Sequence, residues 1–155
     1  RFAGFPEETA LGFEAVLRID AADERDRHEL EVGGWRIVAP DFVADPDEFR
    51  RYVATSGAEF SVAQGVYVET RSGWFSDRSA RYLASGKPVL VQDTGFASTL
   101  PVGEGLLAFA DPGDAAVAAH ALVDDYDRHA RAARAIAEEH FDSDRVLAQL
   151  LEAAL

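Results

Sequence analysis

Two short segments hold most of the polar chemistry of this chain. The first is Arg71-Ser-Gly-Trp-Phe-Ser-Asp-Arg-Ser79, which joins a long polar loop to a short helix predicted over Asp77 to Ser85. The first N–H groups of a helix have no partner within it, and the helix dipole puts partial positive charge at the same end. Such an end receives phosphate. Gly73 lets the backbone approach a ligand closely. The amides around Ser76, Asp77 and Arg78 would face that ligand, and Arg71 or Arg78 can fork onto phosphate oxygens. Ser72, Trp74, Phe75 and Ser79 belong to the same candidate surface. The plainer reading is a capped helix start, with Ser76 or Asp77 as N-cap and the two aromatics closing the core.

The second segment is Gln92-Asp-Thr-Gly-Phe96, which follows the apolar run Val89-Leu-Val91. Gln92, Asp93, Thr94, Gly95 and Phe96 can offer amides and the Asp93 carboxylate to sugar hydroxyls. The competing reading is a turn, which Asp and Gly favour in any case.

Other chemistries fall away. Cysteine is absent, which excludes disulfides, thiolate catalysis and Cys-based zinc sites. The histidines His28, His120, His129 and His140 lie on predicted helices, and none forms an H-E-x-x-H pair. There is no G-x-S-x-G elbow, and neither a P-loop nor G-x-G-x-x-G is present. Glu59, Glu69 and Glu104 stand near strand or loop ends, but no two carboxylates keep the spacing an acid/base hydrolase needs. No catalytic residue is assigned on these grounds. Asp45-Pro-Asp47 has D-x-D spacing inside a proline-rich lead-in to a helix, and no metal or cofactor is expected.

The balance of 15 basic against 28 acidic residues gives a net charge of −13, which argues against nucleic acid as a partner. No apolar run approaches the roughly 20 residues of a membrane span, and no signal peptide is visible. A cytoplasmic location is expected. Lys87 is the one lysine beside fourteen arginines, which suggests GC-rich coding and a bacterial source.

The elements that must position these segments can be read from periodicity and punctuation. Strands are predicted over 13–19, 35–38, 58–62, 89–91 and 105–109. Helices are predicted over 20–31, 47–56, 77–85, Asp111 to about Tyr126, 127–140 and 143–154. Gly86 and Pro88 stop the 77–85 helix. At 155 residues one domain is the expectation. Alternating strand and helix predicts an α/β, Rossmann-like, doubly wound parallel sheet with helices on both faces and extra C-terminal helices. Ligands of such sheets lie beyond the carboxyl ends of the strands, here the loops after Val38, Val62 and Val91.

Ala58-Glu-Phe-Ser-Val-Ala63, Gly73 to Ser79, Tyr82 to Gly95 and Leu100-Pro-Val-Gly-Glu-Gly-Leu-Leu107 resemble the C-terminal, donor-binding domain of GT-B glycosyltransferases. The nearest group is the one that includes spore-maturation-type transferases. The resemblance covers most of the chain from about residue 13, and its most specific part is the Gly73–Ser79 block. It implies binding of a nucleotide-diphospho-sugar, with Gly73 to Ser79 at the diphosphate and Gln92 to Phe96 near the sugar. It also implies a second, N-terminal Rossmann-like domain holding most of the acceptor site. A chain that opens on Arg1 without a methionine fits that expectation. The last helix would pack back toward the other domain. Many retaining members carry two glutamates eight residues apart, and this chain has Gly73 and Arg81 at those places. That departure leaves the alternative of a non-catalytic nucleotide-binding or scaffold module.

Overall fold

The computed structural model describes residues 1–154. The chain divides into two compact units, Arg1–Tyr52 and the remainder from Val53 onward.

The first unit contains α1 (Phe5–Thr9), β1 (Phe13–Val16), α2 (Glu24–Val32) and β2 (Trp35–Val38), and α3 (Pro46–Thr55) begins in it. β1 and β2 pair in parallel, with Phe13 opposite Trp35 and Val16 opposite Val38. The fully buried Phe5 meets Phe13 edge-on at 5.2 Å, and Phe13 lies 5.5 Å from Trp35. Aromatic contact of this kind closes a small core that two short strands alone would leave open. Glu14 accepts from the Tyr52 hydroxyl at 2.9 Å and pairs with Arg36. The strand predicted to run to residue 19 ends at Val16. Its neighbour supplies the reason: the Leu17 amide still donates to the Val38 carbonyl, after which Pro40 opens a 3-10 turn. The helix predicted from residue 20 opens as a 3-10 turn over Ala21–Asp23, with the Asp20 carboxylate accepting from the Ala22 amide.

The second unit contains β3 (Glu59–Ser61), α4 (Gly65–Glu69), α5 (Asp77–Ala84), β4 (Val89–Gln92), β5 (Leu106–Phe109), α6 (Pro112–Asp124), α7 (Tyr126–His140) and α8 (Ser143–Ala154). Its strands form one parallel sheet in the order β3-β4-β5, with Val89 opposite both Glu59 and Leu106. All four residues of β4 are buried, as a continuous apolar run in a central parallel strand requires. Leu83, Leu106, Phe109, Leu122 and Ala133 join it in the core. α5 packs against β3, β4 and α7, while α6 packs on β4 and β5. The starts of α5, α6 and α8 carry side-chain caps. Ser76 serves α5, Asp111 serves α6 through the Asp114 amide at 3.0 Å, and Asp142 accepts from the amides of Asp144 and Arg145. Gly86, at φ 67°, ends α5 in the left-handed conformation.

The chain is therefore mixed α/β, with one small parallel sheet in each unit. α4 stands where the sequence suggested only loop. The Gln64 carbonyl accepts from the amides of Tyr67 and Val68, which nucleates a single short helix. Among the described residues of α8 none is buried, and Val146, Leu147, Leu150 and Leu151 are exposed.

Candidate functional site

The two polar segments come together at the carboxyl end of β4. Gln92 ends that strand, and its side-chain carbonyl accepts from the Ala63 amide at 3.2 Å, which braces the loop after β3. The next residue, Asp93, turns the chain. Its Oδ1 accepts from the amides of Gly95 at 2.9 Å and Ala97 at 3.5 Å, while Oδ2 lies 3.5 Å from Arg71 Nη2. Aspartate commonly stabilises a turn through its own backbone in this way. Thr94 is fully buried and stitches the segments together. Its hydroxyl donates to the Trp74 carbonyl at 2.5 Å, and its carbonyl accepts from the Gly73 amide at 2.9 Å. Gly95 sits at φ 104°, and a Cβ there would stand 2.9 Å from the Arg71 carbonyl oxygen. Gly73, at φ 75°, has nothing within 4 Å of its virtual Cβ. One glycine lets the loops touch, and the other leaves room beside them.

The aromatics divide the loop into an outer and an inner part. Trp74 stacks on Tyr67 at 5.0 Å with 8° between the rings. Phe75 meets Phe96 edge-on at 5.3 Å and stacks on Phe141 at 5.5 Å. Phe96 is buried, so the part of this segment nearest Phe75 is anchored in the core.

The start of α5 follows directly. Ser76 Oγ accepts from the Arg78 amide at 3.2 Å. Among the described residues no oxygen accepts from the amides of Asp77 and Ser79. The Asp77 carboxylate pairs one turn on with Arg81 at 2.8 Å. Ser79 is fully buried, and its hydroxyl has no partner among the described residues. The Arg78 side chain folds onto β3, where Nε donates to Glu59 Oε1 and Nη2 donates to Ser61 Oγ at 3.2 Å. The other oxygen of Glu59, Oε2, is buried without a partner among the described residues. Both arginines that sequence reasoning offered to a phosphate thus already touch acceptors of their own chain.

The Arg78 anchor was the part sequence reasoning missed. Glu59 appeared there only as an acid near a strand end. The available signal was the i, i+2 spacing of Glu59 and Ser61, which puts both side chains on one face of a strand. Nearby, burial pushes the Tyr82 phenol above its ordinary value. A hydrogen bond with Ser56 opposes the shift, the Glu59 carboxylate adds to it, and the Arg78 charge opposes it.

A groove in this unit lies away from these segments. It has a volume of about 450 Å³ and runs between the loop at Pro101–Glu104 and the α7 residues Arg128, Ala132 and Ile136. Arg128 and Glu104 pair across it. The hydrogen bond from Arg128 holds the Glu104 carboxyl below the usual carboxylate range, and the same contact raises Arg128. The buried His129 accepts from the Gly105 amide through Nδ1 at 3.2 Å.

Among the described residues no three His, Asp or Glu side chains stand together as a metal-binding group. Nor is any helix among them long and apolar enough to cross a membrane. No family of known proteins, no curated protein and no solved structure matches this chain.

Proposed function

We propose that the chain from Val53 onward is the donor-binding domain of a GT-B glycosyltransferase, a Rossmann-like half that binds a nucleotide-diphospho-sugar. The observation that carries the reading is the start of α5. It stands beside the carboxyl end of a parallel strand, it keeps two amides without acceptors, and it opens next to a glycine with free space at its side. In this reading the amide of Asp77, an exposed residue, meets the diphosphate, with the buried Ser79 one position behind Arg78 in the same turn. The segment Asp93–Phe96, whose turn is set by the Asp93 carboxylate, lies toward the sugar. Donors fixed before the reaction stabilise charge as it develops on the departing diphosphate, which is often the largest single catalytic contribution. The acceptor site belongs to a second, N-terminal Rossmann-like domain, so this chain alone binds donor without turning it over.

Calorimetric titration of the chain with uridine and guanosine diphosphates and their sugar conjugates tests the reading. Saturable binding that is weakened in Arg78→Ala supports it. Absence of binding to every nucleotide contradicts it. A second reading, a non-catalytic nucleotide-binding or scaffold module, draws support from one pattern. Gly73 and Arg81 stand where many retaining transferases carry glutamates, and Arg71 and Arg78 already contact Asp93 and Glu59. Joining the chain to an upstream α/β domain separates the two, because only the first reading predicts that sugar transfer then appears.

A further inference from the structure

The ion pair under the start of α5 has a geometry that a purely structural salt bridge does not need. A guanidinium is a planar fork with two donor edges. Arg78, on α5, spends one edge on β3, with Nε on Glu59 and Nη2 on Ser61. Glu59 and Ser61 are both buried on one face of β3. The other edge, Nη1 with the remaining hydrogen of Nη2, meets no acceptor among the described residues, and the side chain is 52% exposed. Arg78 is also the second residue of α5, so this edge belongs to the same helical turn as the amides of Asp77 and Ser79.

We infer that Glu59 is a positioning residue for anion recognition: together with Ser61 it grips the inner edge of Arg78 and presents the outer edge to the diphosphate. The inference rests on the donor-binding reading above. Holding a long side chain in its bound orientation removes the ordering cost that would otherwise weaken association. The opposite role, a carboxylate that stands in for the ligand and blocks the arginine, fits less well. A blocking carboxylate would take both oxygens to the fork, whereas here Glu59 offers Oε1 alone and Oε2 finds no donor among the described residues.

The two roles predict opposite signs. Uridine and guanosine diphosphates are titrated into the wild-type chain, Glu59→Gln, Ser61→Ala, Arg78→Ala and the double variant Glu59→Gln/Arg78→Ala, with circular dichroism and thermal midpoint recorded for each. The expected result is that Glu59→Gln weakens binding about tenfold or more, the scale of a charged hydrogen bond. The double variant should then be no weaker than Arg78→Ala alone. If Glu59→Gln fails to fold, Ser61→Ala carries the test and must weaken binding by about threefold or more, the scale of one lost hydrogen bond from the guanidinium. Unchanged or tighter binding in Glu59→Gln, with Arg78→Ala still weakened, overturns the positioning role and leaves the donor-binding reading in place. Losses that simply add in the double variant overturn it too, because Glu59 would then act through the fold. Wild-type chain that binds neither nucleotide overturns both.

Discussion

The loops at the carboxyl end of β4 and the loop that packs on α7 are built from the same parts in different surroundings. Each holds one glycine jammed against backbone and one beside open space: Gly95 and Gly73 in the first, Gly105 and Gly103 in the second. Each region also has an arginine–glutamate pair beside it: Arg78 of α5 with Glu59, the first residue of β3, in one case, and Arg128 of α7 with Glu104 in the other. The difference is burial of the acid, since the Glu59 side chain is 5% exposed and the Glu104 side chain 50%. A buried carboxylate must be held by partners, so it fixes its arginine in one place. A pair in water is screened and mobile, and it contributes little. The first region therefore defines a direction for a cation, while the second only trims a surface. That contrast is the physical ground for looking for an anion at α5 and not in the groove beside α7.

The largest expected effect lies in the second region and concerns packing alone. A Cβ on Gly105 would stand 2.3 Å from the Ala133 amide nitrogen, and its φ is 74°. Gly105→Ala should cost about 3 kcal/mol or more, from strain and overpacking together, seen as a fall in the denaturant midpoint. Next comes the buried acid. Glu59→Ala should destabilise by about 2 kcal/mol, less than for a fully buried pair because Arg78 keeps half its surface in water. Thr94→Val removes the hydroxyl that joins the two polar segments. It should cost about 1–2 kcal/mol by leaving the Trp74 carbonyl without that donor. It should also increase hydrogen exchange at the Gly73 amide.

The smallest effect sharpens the contrast through pH. The folded state holds the Glu104 carboxyl below its ordinary value, chiefly through the Arg128 hydrogen bond. A depressed carboxylate stabilises the fold above the unfolded pKa of about 4.3, and that stabilisation is lost as pH falls through the folded value. Arg128→Ala should therefore be slightly less stable than wild type near neutrality and indistinguishable from it at about pH 2, where the carboxyl is protonated in both states. High salt should shrink the neutral-pH difference. A difference that persisted in acid would mean that Arg128 acts by packing.

Local signals were legible wherever one residue type decides the outcome. Gly86 and Pro88 ended α5, Asp111 capped α6, and the apolar run at Val89–Val91 became the buried central strand. Parallel pairing followed from the alternation of strand and helix, and the structure carries it in both sheets. α4 was not legible, because a single turn of helix leaves no periodicity to count and here depends on the Gln64 carbonyl. At the site, proximity of the 71–79 and 92–96 segments could be expected from their places after strands. Their stitching through Thr94 could not, since it depends on the depth of one hydroxyl between two loops. The partner of Arg78 was hidden for a similar reason: a buried glutamate reads in sequence like any exposed one.

The central claim is that the first turn of α5 receives a diphosphate. Backbone amide NMR spectra of the chain, recorded during titration with uridine diphosphate and then guanosine diphosphate, test it most directly. The account predicts that the amides of Asp77 and Ser79 move saturably with at least one of the two nucleotides, ahead of Glu104 and Ala132 in the groove. Shifts centred on the groove, or no saturable shift at Asp77 and Ser79 with either nucleotide, would contradict it.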